Sequence, residues 1–178
     1  FKRLRRKVFV GRKYHDIWRR FGFRADERAD NIIHKVQMNV LSLVNKIVEE
    51  KPTVEDAQRV LVQVGRKGFH LISQYRNMIQ RQGFHTCWCR VFSSGAMETR
   101  PAIPPGKRSL ILVADTVHRG SEMATVLRGL KDQGFKVKKI FCYLKNVKGI
   151  RRLADEGLIK KEMVEGLFSS ISEKEYEK

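Results

Sequence analysis

A short polar turn between an apolar run and an amphipathic run has the residues to bind a phosphate. The apolar run SLILVA (109–114) is followed by Asp115, and a helix is expected from Ser121, directly after Gly120. A glycine turn that leads into a helix directs free backbone N–H groups and the positive end of the helix dipole at an anion. The pattern therefore predicts a phosphate site at Gly120 and Ser121.

A second candidate for phosphate binding follows the apolar run RVLVQV (59–64). The turn Gly65-Arg66-Lys67-Gly68 is short and basic, and we expect it to contact pyrophosphate or the phosphates of a nucleic acid. The alternative is an ordinary helix-entry turn with solvated charges. Four more basic residues would add positive charge around the same cleft: Arg90, Arg100, Lys107 and Arg108.

The cysteines predict core packing rather than metal binding. His85, Cys87 and Cys89 alternate along one expected strand and so share one of its faces. Their spacing matches no zinc ribbon, and the sequence has no second Cys/His pair that would complete a site. Cys142 falls in another apolar run and is expected to be an inert core residue. Trp88 is expected to be a large strand side chain, or else to stack on a base.

The net charge predicts anionic partners. The chain has 37 Lys and Arg against 19 Asp and Glu, a formal charge of +18, which favours nucleic acid or phosphorylated small molecules. Residues 1–25 combine basic and aromatic residues, which suits either nucleic-acid binding or an arm that docks on the domain. Three cysteines and the lack of a signal segment favour a reducing, cytoplasmic setting. No apolar run reaches 18 residues, so no membrane-spanning helix is expected. The first residue is Phe1, which suggests a longer parent chain.

Apolar periodicity predicts an α/β fold with a doubly wound, mostly parallel sheet and helices on both faces. After a first helix the chain alternates strand and helix, as a parallel sheet requires. In such sheets ligands bind beyond the carboxyl ends of the strands, where the strand order reverses. The expected helices are 33–48, 69–82, 121–133 and 147–155; the expected strands are 59–64, 84–92, 109–114, 137–144 and 163–169; and 93–108 is expected to be a long loop.

The order of these elements over about residues 30–170 resembles the type I phosphoribosyltransferases. The motif SLILVADTVHRGSE resembles the family signature, in which an apolar strand and two acids precede a threonine- and glycine-rich phosphate turn. RVLVQVGRKG resembles the first strand and the pyrophosphate loop, and SSGAMETRPAIPPGK resembles the catalytic loop. CYLKNVKGIRRLADEG resembles the strand and helix that border the base pocket. The resemblance implies three parts: a basic aromatic arm (1–25), a helical hood (26–58) and the α/β core (59–178).

The resemblance also implies roles for the residues of the signature. Asp115 would hold the ribose, with Mg²⁺ and phosphoribosyl pyrophosphate (PRPP) as the implied cofactor and substrate, and the protein would supply no other metal ligand. Arg119, Gly120 and Ser121 would bind the 5′-phosphate. His118 stands where purine-type members have an acidic general base, and an imidazole there can transfer protons near neutral pH.

Three departures from the signature predict that catalysis is altered or lost. Ala114 replaces the first acid, His118 and Arg119 replace the paired threonines, and Glu122 replaces the closing threonine. A carboxylate in the first helical turn takes the place of a bound anion and repels a phosphate unless Arg119 neutralises it.

Three functions stay open at the level of sequence. The first is a phosphoribosyltransferase-like pseudoenzyme that binds a phosphorylated ligand or nucleic acid through a basic cleft, as regulatory members of the family do. The second is an active phosphoribosyltransferase that uses PRPP or a related nucleotide. The third is an effector or structural subunit of a nucleoprotein complex. A homodimer, or membership of such a complex, is compatible with each, and no membrane partner is expected.

Overall fold

A computed structural model describes residues 29–50, 59–65, 68, 72–105, 109–117 and 120–169. The chain divides between Asn39 and Val40 into two units, and all that follows on the sheet and the site concerns the second. The predicted arm, residues 1–25, lies outside the described residues, and the predicted three-part division stays a prediction. Within the described residues, no helix is both long and apolar enough to cross a membrane.

Ten helices and strands, with two short 3₁₀ turns, make up the described chain. In chain order they are α1 (Ala29–Glu49), β1 (Arg59–Val64), a 3₁₀ turn (Ser73–Tyr75), α2 (Arg76–Arg81), β2 (Phe84–Val91), β3 (Met97–Arg100), β4 (Ser109–Val117), α3 (Ser121–Asp132), β5 (Lys136–Lys145), α4 (Val147–Asp155), a 3₁₀ turn (Lys161–Met163) and β6 (Val164–Ser169).

The six strands form one sheet in the order β3-β2-β1-β4-β5-β6. Only β3 is antiparallel to its neighbour, so the predicted mostly parallel, doubly wound sheet is confirmed. The chain moves outward from β1 to β2 on one side and from β4 to β5 on the other. The strand order therefore reverses between β1 and β4, which is where sheets of this kind bind ligands.

Helices cover both faces of the sheet. On one face, Leu112 and Ala114 of β4 share a buried core with α3 and α4. Strand alternation directs Val113 and Phe141 to the other face. The second half of α1 lies on that face, where Lys46 pairs with Glu165, the strand partner of Phe141. The central strands are buried on both sides, which explains why β1 is apolar over most of its length, with Gln63 as a buried polar residue.

Two sequence-based boundaries were wrong. The expected loop 93–108 contains β3, because Met97–Arg100 pairs with the edge of β2 through a tight turn in which Phe92 N–H donates to the Ala96 carbonyl. The strand expected to end at Ala114 continues to Val117, because residues 116 and 117 still pair with β5. Asp115 thus lies in the strand rather than in the turn after it. The described part of the expected helix 69–82 begins with a 3₁₀ turn before α2.

Candidate phosphate site

The carboxyl ends of β1 and β4 meet at the position where the strand order reverses. A Cβ atom on Gly68 would lie 3.0 Å from the Val113 carbonyl oxygen and 3.4 Å from the Ala114 Cα. The turn after β1 therefore packs directly on the end of β4, and only a glycine allows so close an approach. Gly68, from the first of the two turns that the sequence singled out, thus lies against the end of the strand that leads to the second.

The start of α3 has the geometry that the glycine turn predicted. Gly120 is the N-cap residue and has φ +77°, a left-handed conformation that suits glycine. A Cβ atom there would lie 3.0 Å from the Gly149 carbonyl oxygen and 3.2 Å from Leu153 Cγ. The turn is thus pressed against α4, and Ser121 begins α3 with its side chain exposed.

The Glu122 side chain extends from the first turn of α3 to the end of β1. Its Oε1 atom lies 2.8 Å from the position of a Cβ atom on Gly65, which has φ +69°. The Trp88 indole N–H donates to the Gly65 carbonyl oxygen over 3.1 Å. A carboxylate therefore lies between the two candidate phosphate-binding turns.

The pKa of Cys89 reflects the same carboxylate. The pKa of this thiol is raised to about 12, mainly by burial and in addition by the negative charge of Glu122. Cys87 lies two residues earlier on the same strand, and its pKa is raised to about 11, because burial outweighs the lowering effect of Arg76. Both side chains are buried, as predicted. Within the described residues, no group of three or more potential metal ligands occurs.

Ala114 and Asp115, where the signature has two acids, face opposite sides of the sheet. Ala114 is 3% exposed and packs in the core with Met123 and Leu127 of α3. A carboxylate at this position would be desolvated among apolar side chains. Asp115 is half-buried near the end of β4, and its charge contributes to the raised pKa of Cys142, whose main cause is burial.

The remaining candidate residues are on β2 and β3 or outside the described residues. Arg90 follows the partner of Val64, next to the end of β1, and its guanidinium lies over the Phe92 ring at 4.7 Å. Arg100 is on β3, two strands from β1, and pairs with Glu98 at 2.7 Å. The other candidates lie outside the described residues: Arg66, Lys67, Lys107, Arg108, His118 and Arg119.

Two contacts of this region were not predicted from the sequence: the helix cap formed by Asn146 and the hydrogen bond from Trp88 to Gly65. Asn146 is 5% exposed and caps α4: its side-chain oxygen accepts hydrogen bonds from the N–H groups of Lys148 and Gly149. An asparagine directly before a helix is a common N-cap, so local sequence could have identified it. The contact of Trp88 with Gly65 joins residues 23 apart, and no local pattern indicates it.

Comparisons with known proteins find likeness in structure alone. No family model matches the chain, and neither does any curated protein sequence. The structure is similar to adenine phosphoribosyltransferase from Leishmania tarentolae, with 15% identity, a TM-score of 0.57, and coverage of 77% of this chain and 71% of that one.

Two further solved structures of phosphoribosyltransferases are similar to this chain in fold. Adenine phosphoribosyltransferase from Trypanosoma brucei, in complex with AMP, pyrophosphate and ribose-5-phosphate, has 12% identity, a TM-score of 0.56, and coverage of 78% and 67%. Orotate phosphoribosyltransferase from Aeropyrum pernix has 12% identity, a TM-score of 0.51, and coverage of 79% and 72%. The resemblance predicted from the sequence is thereby confirmed: this chain has the fold of the type I phosphoribosyltransferases.

Proposed function

We propose that this protein binds nucleic acid or a phosphorylated ligand and does not carry out ordinary phosphoribosyl transfer. The observation that carries this proposal is the Glu122 carboxylate beside Gly65. It lies between the two turns that would otherwise receive the phosphate groups of a substrate. The fold is retained, whereas the first turn of α3 carries a negative charge where the resembled signature has a threonine.

The carboxylate of Glu122 opposes phosphate binding in two ways. A negative side chain in the first turn of α3 interacts favourably with the helix dipole. It therefore weakens the electrostatic attraction of the helix N-terminus for a negatively charged ligand. Two unit negative charges about 4 Å apart repel by roughly 4 kcal/mol at an effective dielectric constant near 20. Glu122 is exposed, so solvent and salt screen part of this repulsion, and the expected weakening of binding is at least about tenfold.

The buried Ala114 removes a second requirement of the reaction. In the resembled signature two acids hold the ribose hydroxyls, and here Ala114 is packed against α3 with no carboxylate to offer. Of the two signature acids only Asp115 is present. It could bind the ribose, or it could bind Mg²⁺ that is also bound by a diphosphate. A single carboxylate orients a ribose less well than two carboxylates do. A PRPP molecule would therefore bind both less tightly and in a less well-defined orientation.

The excess of positive charge supports nucleic acid as the partner. A formal charge of +18 on 178 residues attracts polyanions over long distances. Binding of this kind releases counterions, so the logarithm of affinity must fall linearly with the logarithm of salt concentration. A filter-binding titration with a single-stranded RNA and a duplex DNA measures that slope, and a slope of zero contradicts the nucleic-acid proposal.

The enzymatic half of the proposal is tested by incubating the protein with PRPP, Mg²⁺ and each common base. We expect no pyrophosphate release above background, with an active adenine phosphoribosyltransferase as the positive control. The retained Asp115, half-buried at the end of β4, favours the alternative of an active ribosyltransferase. Base-dependent release of pyrophosphate would establish that alternative and contradict the proposal.

A further inference from the structure

Phe92, directly after β2, is an exposed aromatic side chain. It is 37% exposed, and Met38 is the only other large apolar side chain of the described chain that is exposed. A single exposed apolar residue is ordinary on a protein surface. Phe92 differs because the guanidinium of Arg90 lies over its ring, 4.7 Å from the ring centre. The two side chains thus form one exposed unit that combines an aromatic ring with a positive charge, and we call it the Phe92–Arg90 platform.

The guanidinium of Arg90 forms no ion pair within the described residues. Glu98 on β3 lies opposite Arg90 on β2, but its Oε1 atom is bound by Arg100 at 2.7 Å. Arg90 itself is exposed and contacts the Phe92 ring instead. Arg90 and Arg100 are diagonal neighbours on this strand pair, typically about 7–8 Å apart. Because two arginines outnumber the one carboxylate between them, this face of the β2–β3 hairpin has a net positive charge.

The Phe92–Arg90 platform lies at the same end of the sheet as the candidate phosphate site. Arg90 comes directly after Cys89, which is the strand partner of Val64, the last residue of β1. Trp88 is on the same face of β2 as Arg90, and its indole N–H donates to the carbonyl oxygen of Gly65. A ligand on the platform would therefore lie beside the turn that follows β1.

We propose that the Phe92–Arg90 platform binds an unpaired base of a single-stranded nucleic acid. Unpaired bases stack on aromatic rings and on the planes of arginine side chains, and the positive charges of Arg90 and Arg100 attract the neighbouring phosphates. The bases of a duplex are already stacked on one another, so a duplex gains the attraction of the charges but not the stacking. The proposal rests on the proposed function, because it states which form of nucleic acid is bound and where.

The test measures the anisotropy of labelled oligonucleotides across a series of salt concentrations: a single-stranded RNA, a single-stranded DNA of the same sequence, and the corresponding duplex DNA. We expect Phe92→Ala to weaken the binding of both single strands by about tenfold, as the loss of one stacked base requires, and to change duplex binding by less than about twofold. Its salt slope should equal that of the wild type, because no charge has been removed. Phe92→Trp keeps an aromatic ring and should bind like the wild type.

Arg90→Ala should lower both the affinity and the magnitude of the salt slope. The loss of one phosphate contact lowers the slope on a single strand by about 0.7. Arg90→Lys keeps the charge and should restore the slope but not the full affinity, because a lysine side chain has no planar group on which a base can stack. A purely structural role of Arg90 would leave the salt slope unchanged. Circular dichroism melting confirms that each variant is folded.

Two further variants are matched controls. Met38→Ala removes the other exposed large apolar side chain of the described chain. Lys161→Ala removes an exposed positive charge just before β6, at the opposite edge of the sheet from β3. Each should change affinity by less than about threefold, since exposed charges farther apart than about 10 Å are largely screened at 0.1 M salt.

The outcomes separate this inference from the proposed function. If the wild type binds none of the oligonucleotides, the nucleic-acid part of the proposed function fails, and this inference fails with it. If the wild type binds with a salt slope, but Phe92→Ala binds the single strands as tightly as the wild type does, only the platform is contradicted. An equal loss for the duplex and for the single strands would also contradict the platform, because a stacked base must be unpaired.

Discussion

The Oε1 atom of Glu122 lies 2.8 Å from the position that a Cβ atom would occupy on Gly65. This contact connects the first turn of α3 to the end of β1, across the position where the strand order reverses. Gly65 has no Cβ atom, which leaves room for the Glu122 carboxylate. Its left-handed φ of +69° is also a backbone conformation that glycine adopts readily. In the proposed function, this carboxylate takes the place that a substrate phosphate would need.

Substitution at Gly65 should act mainly through the backbone. Gly65→Ala should lower the free energy of unfolding by about 1–2 kcal/mol, because a residue with a Cβ atom is strained at positive φ. The crowding atom is the end of the exposed Glu122 side chain, which can turn away at little cost. Urea unfolding of both single variants and of the double variant with Glu122→Ala should therefore give a coupling energy below about 0.5 kcal/mol. A coupling energy above about 1 kcal/mol would show instead that Glu122 is fixed in place beside Gly65.

Gly120→Ala and Gly134→Ala form a matched pair. The two glycines have nearly equal φ, +77° and +79°, so the backbone strain of the two substitutions is the same. Gly120 faces the Gly149 carbonyl and Leu153, whereas nothing lies within 4 Å of a Cβ atom on Gly134. Thermal unfolding should show Gly120→Ala to be less stable by a further ~1–3 kcal/mol, since α3 and α4 must separate. Equal losses would contradict the packing of the phosphate turn on α4.

An ion network around Glu165 should give the protein a pH-dependent stability. Hydrogen bonds from Lys46 and from Lys139 lower the pKa of Glu165 below its ordinary 4.5. Burial lowers the pKa of Lys139, but hydrogen bonds to Glu50 and Glu165 outweigh it and leave the pKa above 10.5. The network therefore stabilises the fold between about pH 4.5 and 10.5; its contribution is lost below that window as Glu165 is protonated, and above it as Lys139 is deprotonated.

Glu165→Gln tests this window. The variant should lose about 1 kcal/mol or less of unfolding free energy at pH 7, because the groups are partly exposed and screened. The difference from wild type should shrink as the pH falls below 4.5. Glu162→Gln, which changes a fully exposed acid three residues earlier, is the matched control. A deficit that persists unchanged at pH 3 would contradict an ionic origin.

All three cysteines should be unreactive in the folded protein. Burial raises the pKa of Cys87 to about 11 and the pKa values of Cys89 and Cys142 to about 12, so each thiolate is scarce at pH 8. A chromogenic disulfide reagent should react with none of them in buffer and with three per chain in denaturant. Fast reaction of a thiol in the native protein would contradict their placement in the core.

The strands and helices that the sequence predicted are those with a strong apolar pattern. The runs 59–64 and 84–92 are buried central strands, and apolar residues at helical spacing correctly predicted α3 and α4. The short strand β3, METR, has no such pattern, because it is a polar edge strand that exists only through pairing with β2. Pairing with β5 likewise extends β4 through Asp115, where the local sequence suggests a turn.

The candidate site was predictable only in part for the same reason. Gly120 and the start of α3 follow from a local pattern of strand, glycine and helix. The neighbouring positions of Glu122 and Gly65 depend on two turns that are 57 residues apart in the sequence and meet only when β1 and β4 pair. The resemblance to phosphoribosyltransferases predicted that those turns lie together. The position of the Glu122 side chain beside Gly65, on which the proposed closure of the site rests, needed coordinates to be located.

The most direct test of this closure is a calorimetric titration of PRPP with Mg²⁺ into the wild type and the Glu122→Ala variant. Glu162→Ala serves as a control for the change in net charge. We predict no saturable binding to the wild type or to Glu162→Ala, and binding to Glu122→Ala that is tighter by at least about tenfold, since the repelling carboxylate is gone. Micromolar binding of PRPP to the wild type, with no gain in the Glu122→Ala variant, would contradict the account.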